Sequence, residues 1–257
     1  MKQSDNTPFF VGYLDMPAAL RKFYIPLTIL MLGFSALVGF SIASLQSSSG
    51  AASWNTESSV ILEGLLTVDP YPVLHRIDPD NPGQIESVLL VNQGKYSAEE
   101  FARPSMGKLV SVTGFPIARG GWTMLEITSA EDIIENQSEL SNQKKEIERQ
   151  VEEKSIGAVV LKGEIADSKC FLGVMKPGEG SVHKACAEVC LLGGIPSMLV
   201  VRDRHDVRYG YILILEDGSS ASTLLADRAA DTVEIHGELF RKGDLLYLKM
   251  SSEGLEG

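Results

Sequence analysis

Three cysteines and a histidine stand together in one stretch of the chain. It runs from Asp167-Ser-Lys-Cys170 through a glycine-rich segment to His183-Lys-Ala-Cys186-Ala-Glu-Val-Cys190, and closes on Gly193-Gly194-Ile-Pro196. Every cysteine of the 257 residues is here, with one of the four histidines. Three thiols and one imidazole make a Cys₃His set, a composition that holds tetrahedral zinc. Soft thiolates also suit copper(I) or an iron–sulfur cluster. Asp167 is the natural acceptor for the second ring nitrogen of His183, which would fix the tautomer that faces a metal. Two other chemistries use the same side chains. Cys170 paired with Cys186 or Cys190 would make a structural disulfide and leave one thiol over, since a bridge between Cys186 and Cys190 within one helix is poor geometry. An exposed thiolate would serve a thiol oxidoreductase or a metal chaperone, although no Cys-x-x-Cys is present.

These side chains need particular elements behind them. Residues 182 to 192 are expected to be helical, which puts His183, Cys186 and Cys190 at i, i+3 and i+7 on one face. Gly193-Gly194 and then Pro196 form the stop, and Ser181 is the expected N-cap. Val159 to Ile165 reads as a strand that delivers Asp167 and Cys170. Lys176-Pro-Gly-Glu-Gly-Ser181 lacks the Gly-Lys-Ser/Thr ending of a phosphate loop and reads as a loop into the helix. His75, His205 and His236 are isolated. No nucleophile elbow, metalloprotease helix or dinucleotide fingerprint occurs, and no carboxylate pair stands out as acid and base. No catalytic residue is assigned, and the reading is of a non-enzymatic module.

The formal net charge is −11 and the pI about 4.9, which excludes the basic footprint of a nucleic-acid binder. Phe23 to Leu45 is uncharged and apolar. At 1.5 Å per residue it spans roughly 34 Å, enough for a hydrocarbon core of about 30 Å. Arg21 and Lys22 precede it and no Lys or Arg follows until Arg76. The positive-inside rule therefore places residues 1–22 in the cytoplasm and the rest beyond a bacterial inner membrane, in the periplasm. Ser35, Gly39 and Ala43 form a small-residue stripe on which another membrane protein would dock.

The exported part is expected to be mainly β. Residues 46–58 read as a flexible tether, 59–133 as a first domain, 134–156 as a polar helical linker, 157–251 as a second domain and 252–257 as a tail. The halves repeat. Val60 to Leu66 matches Val159 to Ile165, Ser87 to Val91 matches Tyr211 to Leu215, and Val110 to Ile127 matches Val233 to Met250. Strands kinked at glycine and closed by a basic-glycine hairpin suggest two tandem OB-like barrels. In the linker, Leu140, Ile147 and Val151 form a thin apolar stripe on a helix expected to be solvated.

The pattern Gly163-x-Ile165-x-Asp167-x-x-Cys170, then His183-x-x-Cys186-x-x-x-Cys190-x-x-Gly193, resembles that of bacterial membrane-anchored proteins with exported OB-like domains. The resemblance covers roughly residues 158–250. It implies a fold and a shared site at Asp167, Cys170, His183, Cys186 and Cys190, and no activity. The expectation is a metal-holding accessory or assembly subunit of a membrane complex. A disulfide-braced interaction protein is the alternative without metal.

Overall fold

The computed structural model describes residues 18–45, 52–136 and 141–256. The chain divides into two compact units, one N-terminal and one comprising the β-rich remainder. The first holds α1 (Ala18–Leu45), a helix long and apolar enough to cross a membrane. Ser35, Gly39 and Ala43 lie on it, and the space beside Gly39 is open.

The second unit is mainly β. Its first half contains β1 (Ala52–Trp54), β2 (Val60–Thr67), β3 (Val73–Ile77), β4 (Ile85–Asn92), β5 (Leu109–Arg119), β6 (Trp122–Ile127) and β7 (Ile133–Glu135), with the short helix α2 (Glu99–Ala102) after β4. They form one seven-stranded sheet in the order β1-β5-β2-β3-β4-β6, with β7 on β5 and a further pairing of β5 with β6. The second half contains β8 (Lys154–Asp167), β9 (Ser197–Arg202), β10 (Arg208–Leu215), β11 (Thr232–Lys242) and β12 (Leu245–Glu256). These close into a five-stranded barrel in the order β10-β12-β11-β8-β9. Closure removes the free edges that an open sheet exposes.

The repeat is visible in the pairings. β4 pairs β6 in parallel just as β10 pairs β12, and β2 pairs β5 as β8 pairs β11. The register shows one correction. Leu89 faces Met124 and Ile212 faces Tyr247, while an isolated bridge joins Val91 to Ser97 and another joins Ile214 to Ser220. Val91 therefore corresponds to Ile214, one residue from the alignment expected from apolar content alone. Both are continuous apolar runs, which carry no alternation to fix register. The kink glycines have a steric cause. A Cβ on Gly64 would lie 2.3 Å from the His75 carbonyl oxygen, and one on the matching Gly163 would lie 2.6 Å from that of Val200.

Three segments differ from expectation at the domain margins. Ala52–Trp54, expected within the tether, pairs with Ile117–Arg119 at the end of β5. Leu255 and Glu256, expected in the tail, pair with Ile235 and Glu234. The expected linker contributes β7, the helix α3 (Ser141–Val151) and the start of β8. Ile147 is fully buried and Val151 nearly so, in a cluster with Leu65, Ile85 and Leu109. The helix is thus packed on the first sheet; its two apolar side chains, each worth about 1.5–3 kcal/mol on burial, outweigh the polarity of the others. Leu140 lies outside the described residues.

The two halves share one core. Tyr71, Leu89 and Met124 of the first pack in the same cluster as Phe171, Met198 and Tyr247 of the second. Tyr71 Oη donates to the Leu213 carbonyl at 2.9 Å and accepts from the Ala221 amide at 3.2 Å. Separate clusters fill the barrel interior around Leu199 and Leu248, and the first sheet around Leu66 and Leu125.

Candidate metal centre

In the first half, β2 runs to β3 through Val68–Pro72. In the second, the corresponding connection from β8 to β9 is Ser168–Pro196, and it carries every cysteine. After Asp167 the chain makes a π-helical turn, Cys170–Val174, crosses the loop 175–180, makes a 3₁₀ turn at Ser181–His183 and enters α4 (Lys184–Leu192). The helix expected over 182–192 is therefore present, with its α portion beginning after His183. Its N-cap is His183 rather than Ser181, and no side chain caps it.

Asp167 organises the bottom of the site. It is fully buried, and His183 is nearly so. Asp167 Oδ1 accepts the Cys170 backbone N–H at 2.8 Å, and Oδ2 lies 3.1 Å from His183 Nε2. One carboxylate thus orients both the turn that carries a thiol and the ring beside it. With Nε2 hydrogen-bonded, Nδ1 is the ring atom left to ligate.

The donor atoms form two overlapping triads. One atom each from Cys170, His183 and Cys186 lie within 4.8 Å of one another, as do those of Asp167, Cys170 and Cys190. Cys170 belongs to both. All three cysteines are free thiols. A hydrogen bond shared with Cys190, reinforced by burial and by the Asp167 charge, pushes the Cys170 thiol far up. The same bond holds Cys190 below the usual thiol range against its own burial.

The first half supplies residues that sequence reasoning did not place here. Burial lowers the Lys95 ammonium, yet its bond to Cys186 and the charges of the three cysteines leave it raised overall. Lys95 Nζ donates to Cys186 Sγ at 2.8 Å and to the Cys186 carbonyl at 3.1 Å. The turn that carries it is fastened to the second half twice. Lys169 Nζ, almost wholly buried, donates to the carbonyls of Asn92 at 2.9 Å and Gly94 at 2.8 Å and pairs with Glu126. The Ser97 amide donates to the Gly193 carbonyl at 2.8 Å. Gly193 also explains the double glycine: a Cβ there would sit 1.8 Å from the Lys95 carbonyl oxygen. The pair stops the helix and also lets the other half approach. Lys169 lies beside Cys170, but its partners Asn92, Gly94 and Glu126 are all distant in sequence, so no local pattern marks it.

The loop from Cys170 to His183 is held from the far side. Arg119, at the end of β5, donates to the Phe171 carbonyl at 2.6 Å and lies 4.3 Å over the Phe171 ring centroid. Glu179, nearly buried, is met by Arg208 at 2.8 Å, Arg202 at 3.1 Å and Arg119 at 3.7 Å. A Cβ on Gly178 would meet the Cys170 carbonyl at 2.0 Å. The segment read as a glycine-rich loop is thus packed and charge-anchored.

The other histidines stand apart. His75 is fully buried, with Nε2 3.0 Å from Thr67 Oγ1 and Nδ1 2.9 Å from Ser87 Oγ. His205 is exposed, and His236 is exposed beside Glu234 at 3.5 Å. Comparison with protein-family models, with curated proteins and with solved structures finds no match for this chain.

Proposed function

We propose that this chain is a membrane-anchored module that holds a metal ion, or a metal-containing cofactor, through Cys170, His183, Cys186 and Cys190, with Asp167 orienting His183. The observation that carries this reading is the pair of triads meeting at Cys170. Isolated buried thiols need no carboxylate-oriented histidine beside them, whereas metal-ligating histidines nearly always have such a partner. The Cys₃His composition favours zinc, with copper(I) or an iron–sulfur cluster as the other soft-ligand choices. The module would work on the periplasmic side as an accessory or assembly subunit rather than an enzyme. Ser35, Gly39 and Ala43 would form its contact with a membrane partner. The five strand pairings common to both halves support two OB-like units in tandem.

Elemental analysis and an absorption spectrum of the purified full chain test this. About one zinc, copper or iron per chain, lost in Cys186→Ser, supports the metal reading. No metal, with one titratable thiol after denaturation instead of three, would replace it by a disulfide-braced interaction protein. The observation that favours this second reading is the approach of the Cys170 and Cys190 sulfurs to within 4.8 Å of each other.

A further inference from the structure

The thiols do not face a closed wall. Cys170, Cys186 and Cys190 all line a cavity of about 240 Å³, and His183 does not. The remaining walls include Trp54, Val174 and Met175, which are apolar, and Lys95. Trp54 and Met175 are each more than a third exposed, so the cavity is open to solvent. The site therefore has two sides. Behind lie buried Asp167 and His183. In front lies space bounded by the three sulfurs, by apolar surface, by Lys95 and by the Lys169–Glu126 ion pair.

Cys190 is placed differently from the other thiols. It closes a triad with Cys170 and Asp167, while His183 and Cys186 close theirs with Cys170 alone. Structural metal sites are filled by protein, whereas working sites keep one position for a small molecule. We infer that Cys190 is the exchangeable fourth ligand, and that the cavity admits a small thiol with an apolar body, which takes its place on the metal. This rests on the metal-holding reading above. The exchange balances without redox change. The incoming thiol gives up its proton as its sulfur bonds to the metal, and Cys190 takes up a proton as its bond breaks. Lys95, 2.8 Å from Cys186 Sγ, supplies a cation beside the incoming anionic donor. Trp54 and Met175 receive its apolar body.

The test uses the full chain in detergent, loaded with cobalt(II) and titrated with benzenethiol, and follows the thiolate-to-cobalt absorption. The expected result is a saturable spectral change at one equivalent with cobalt retained. Cys190→Ser should still hold cobalt and bind benzenethiol about tenfold more tightly, because nothing has to be displaced, and Trp54→Ala should bind it about tenfold more weakly. The inference is overturned if the cobalt spectrum ignores saturating benzenethiol, if the thiol strips the metal, or if Cys190→Ser loses cobalt as completely as Cys186→Ser. A wild-type chain that takes up no metal at all fails earlier and removes the parent reading too, so the two failures are distinct.

Discussion

Lys169→Met separates a structural tie from a mere surface contact. The Lys169 side chain is about 2% exposed, and the three donors of its ammonium are used by Glu126, the Asn92 carbonyl and the Gly94 carbonyl. Methionine fills similar space with no donor. The variant leaves a Glu126 side chain, itself about 5% exposed, with its charge unpaired, and two carbonyls short of a partner. Removing one member of a buried pair costs about 3–5 kcal/mol. Part of that loss is relieved if water reaches Glu126 through the adjoining cavity, which Glu126 and Lys169 also line. The expected loss is therefore about 3 kcal/mol, roughly a 150-fold change in the folding equilibrium. Urea unfolding followed by tryptophan fluorescence reads it, because both tryptophans, Trp54 and Trp122, lie in the β-rich unit. The double variant Lys169→Met/Glu126→Leu should recover most of the loss, since an apolar pair of similar volume is often neutral against a buried ion pair. A Lys169→Met variant within about 0.5 kcal/mol of wild type, or a double variant no better than the single, would refute the assigned role.

Three further outcomes follow from the same geometry. Gly193→Ala should cost about 1–3 kcal/mol as an overpacked contact and raise the accessibility of Cys186 to alkylating reagent, because its Cβ would displace the Lys95 turn; Gly83→Ala, with open space around it, is the neutral control, and equal stability of the two would count against the interlock. Asp167→Asn keeps an acceptor for the Cys170 amide but removes the carboxylate beside His183, so metal affinity measured by competition with a chelator should fall about 10–100-fold, and unchanged affinity would remove Asp167 from the site. His75 is held neutral by burial, its pKa lowered from 6.5 to about 3, with Lys242 adding to the effect. The unfolded chain thus binds this proton more readily. The stability tied to it is whole above pH 6.5 and declines as pH falls toward 3, by about 2.5 kcal/mol between pH 7 and pH 4.5 at 1.36 kcal/mol per unit. Urea midpoints of wild type and His75→Gln should therefore converge or cross on acidification, and parallel pH profiles would exclude His75 as the cause.

The cysteine-bearing connection was legible because its residues are rare elsewhere and chemically distinctive. Cys186 and Cys190 share a helix face by simple periodicity, and a carboxylate three residues before Cys170 is a natural partner for a buried imidazole. The barrel strands were legible through their kink glycines, which recur because a neighbouring strand's carbonyl passes within 2.3–2.6 Å of the missing Cβ in both halves. What escaped was whatever depends on one half docking on the other. Lys95 stands 91 residues before Cys186 and sits in a turn, Gln93-Gly-Lys-Tyr96, that carries no signal of its own. α3 misled for a related reason. Its composition is that of a solvated helix, and only the cluster of Leu65, Ile85 and Leu109 makes burial of Ile147 and Val151 possible.

The two halves use equivalent positions for different ends. The turn after β4, bridged at Val91 and Ser97, has its counterpart after β10, bridged at Ile214 and Ser220, and both are followed by a buried alanine, Ala98 or Ala221. The first turn reaches out of its own half and puts Lys95 on Cys186. The second remains within its own half and also receives Tyr71 from the first, whose hydroxyl meets Ala221 and Ser222. Conversely, the short connection Val68–Pro72 that carries Tyr71 corresponds to the long one that carries the thiols. The first half thus sends Tyr71 and Lys95 into the second, the second sends Lys169 into the first, and the thiol site lies beside the two lysines. A first half cut away from the second would take with it the cation beside Cys186, the acceptors of Lys169 and the wall formed by Trp54. The cysteine-free half is therefore part of the site, and ligand chemistry at the thiols should respond to substitutions in it.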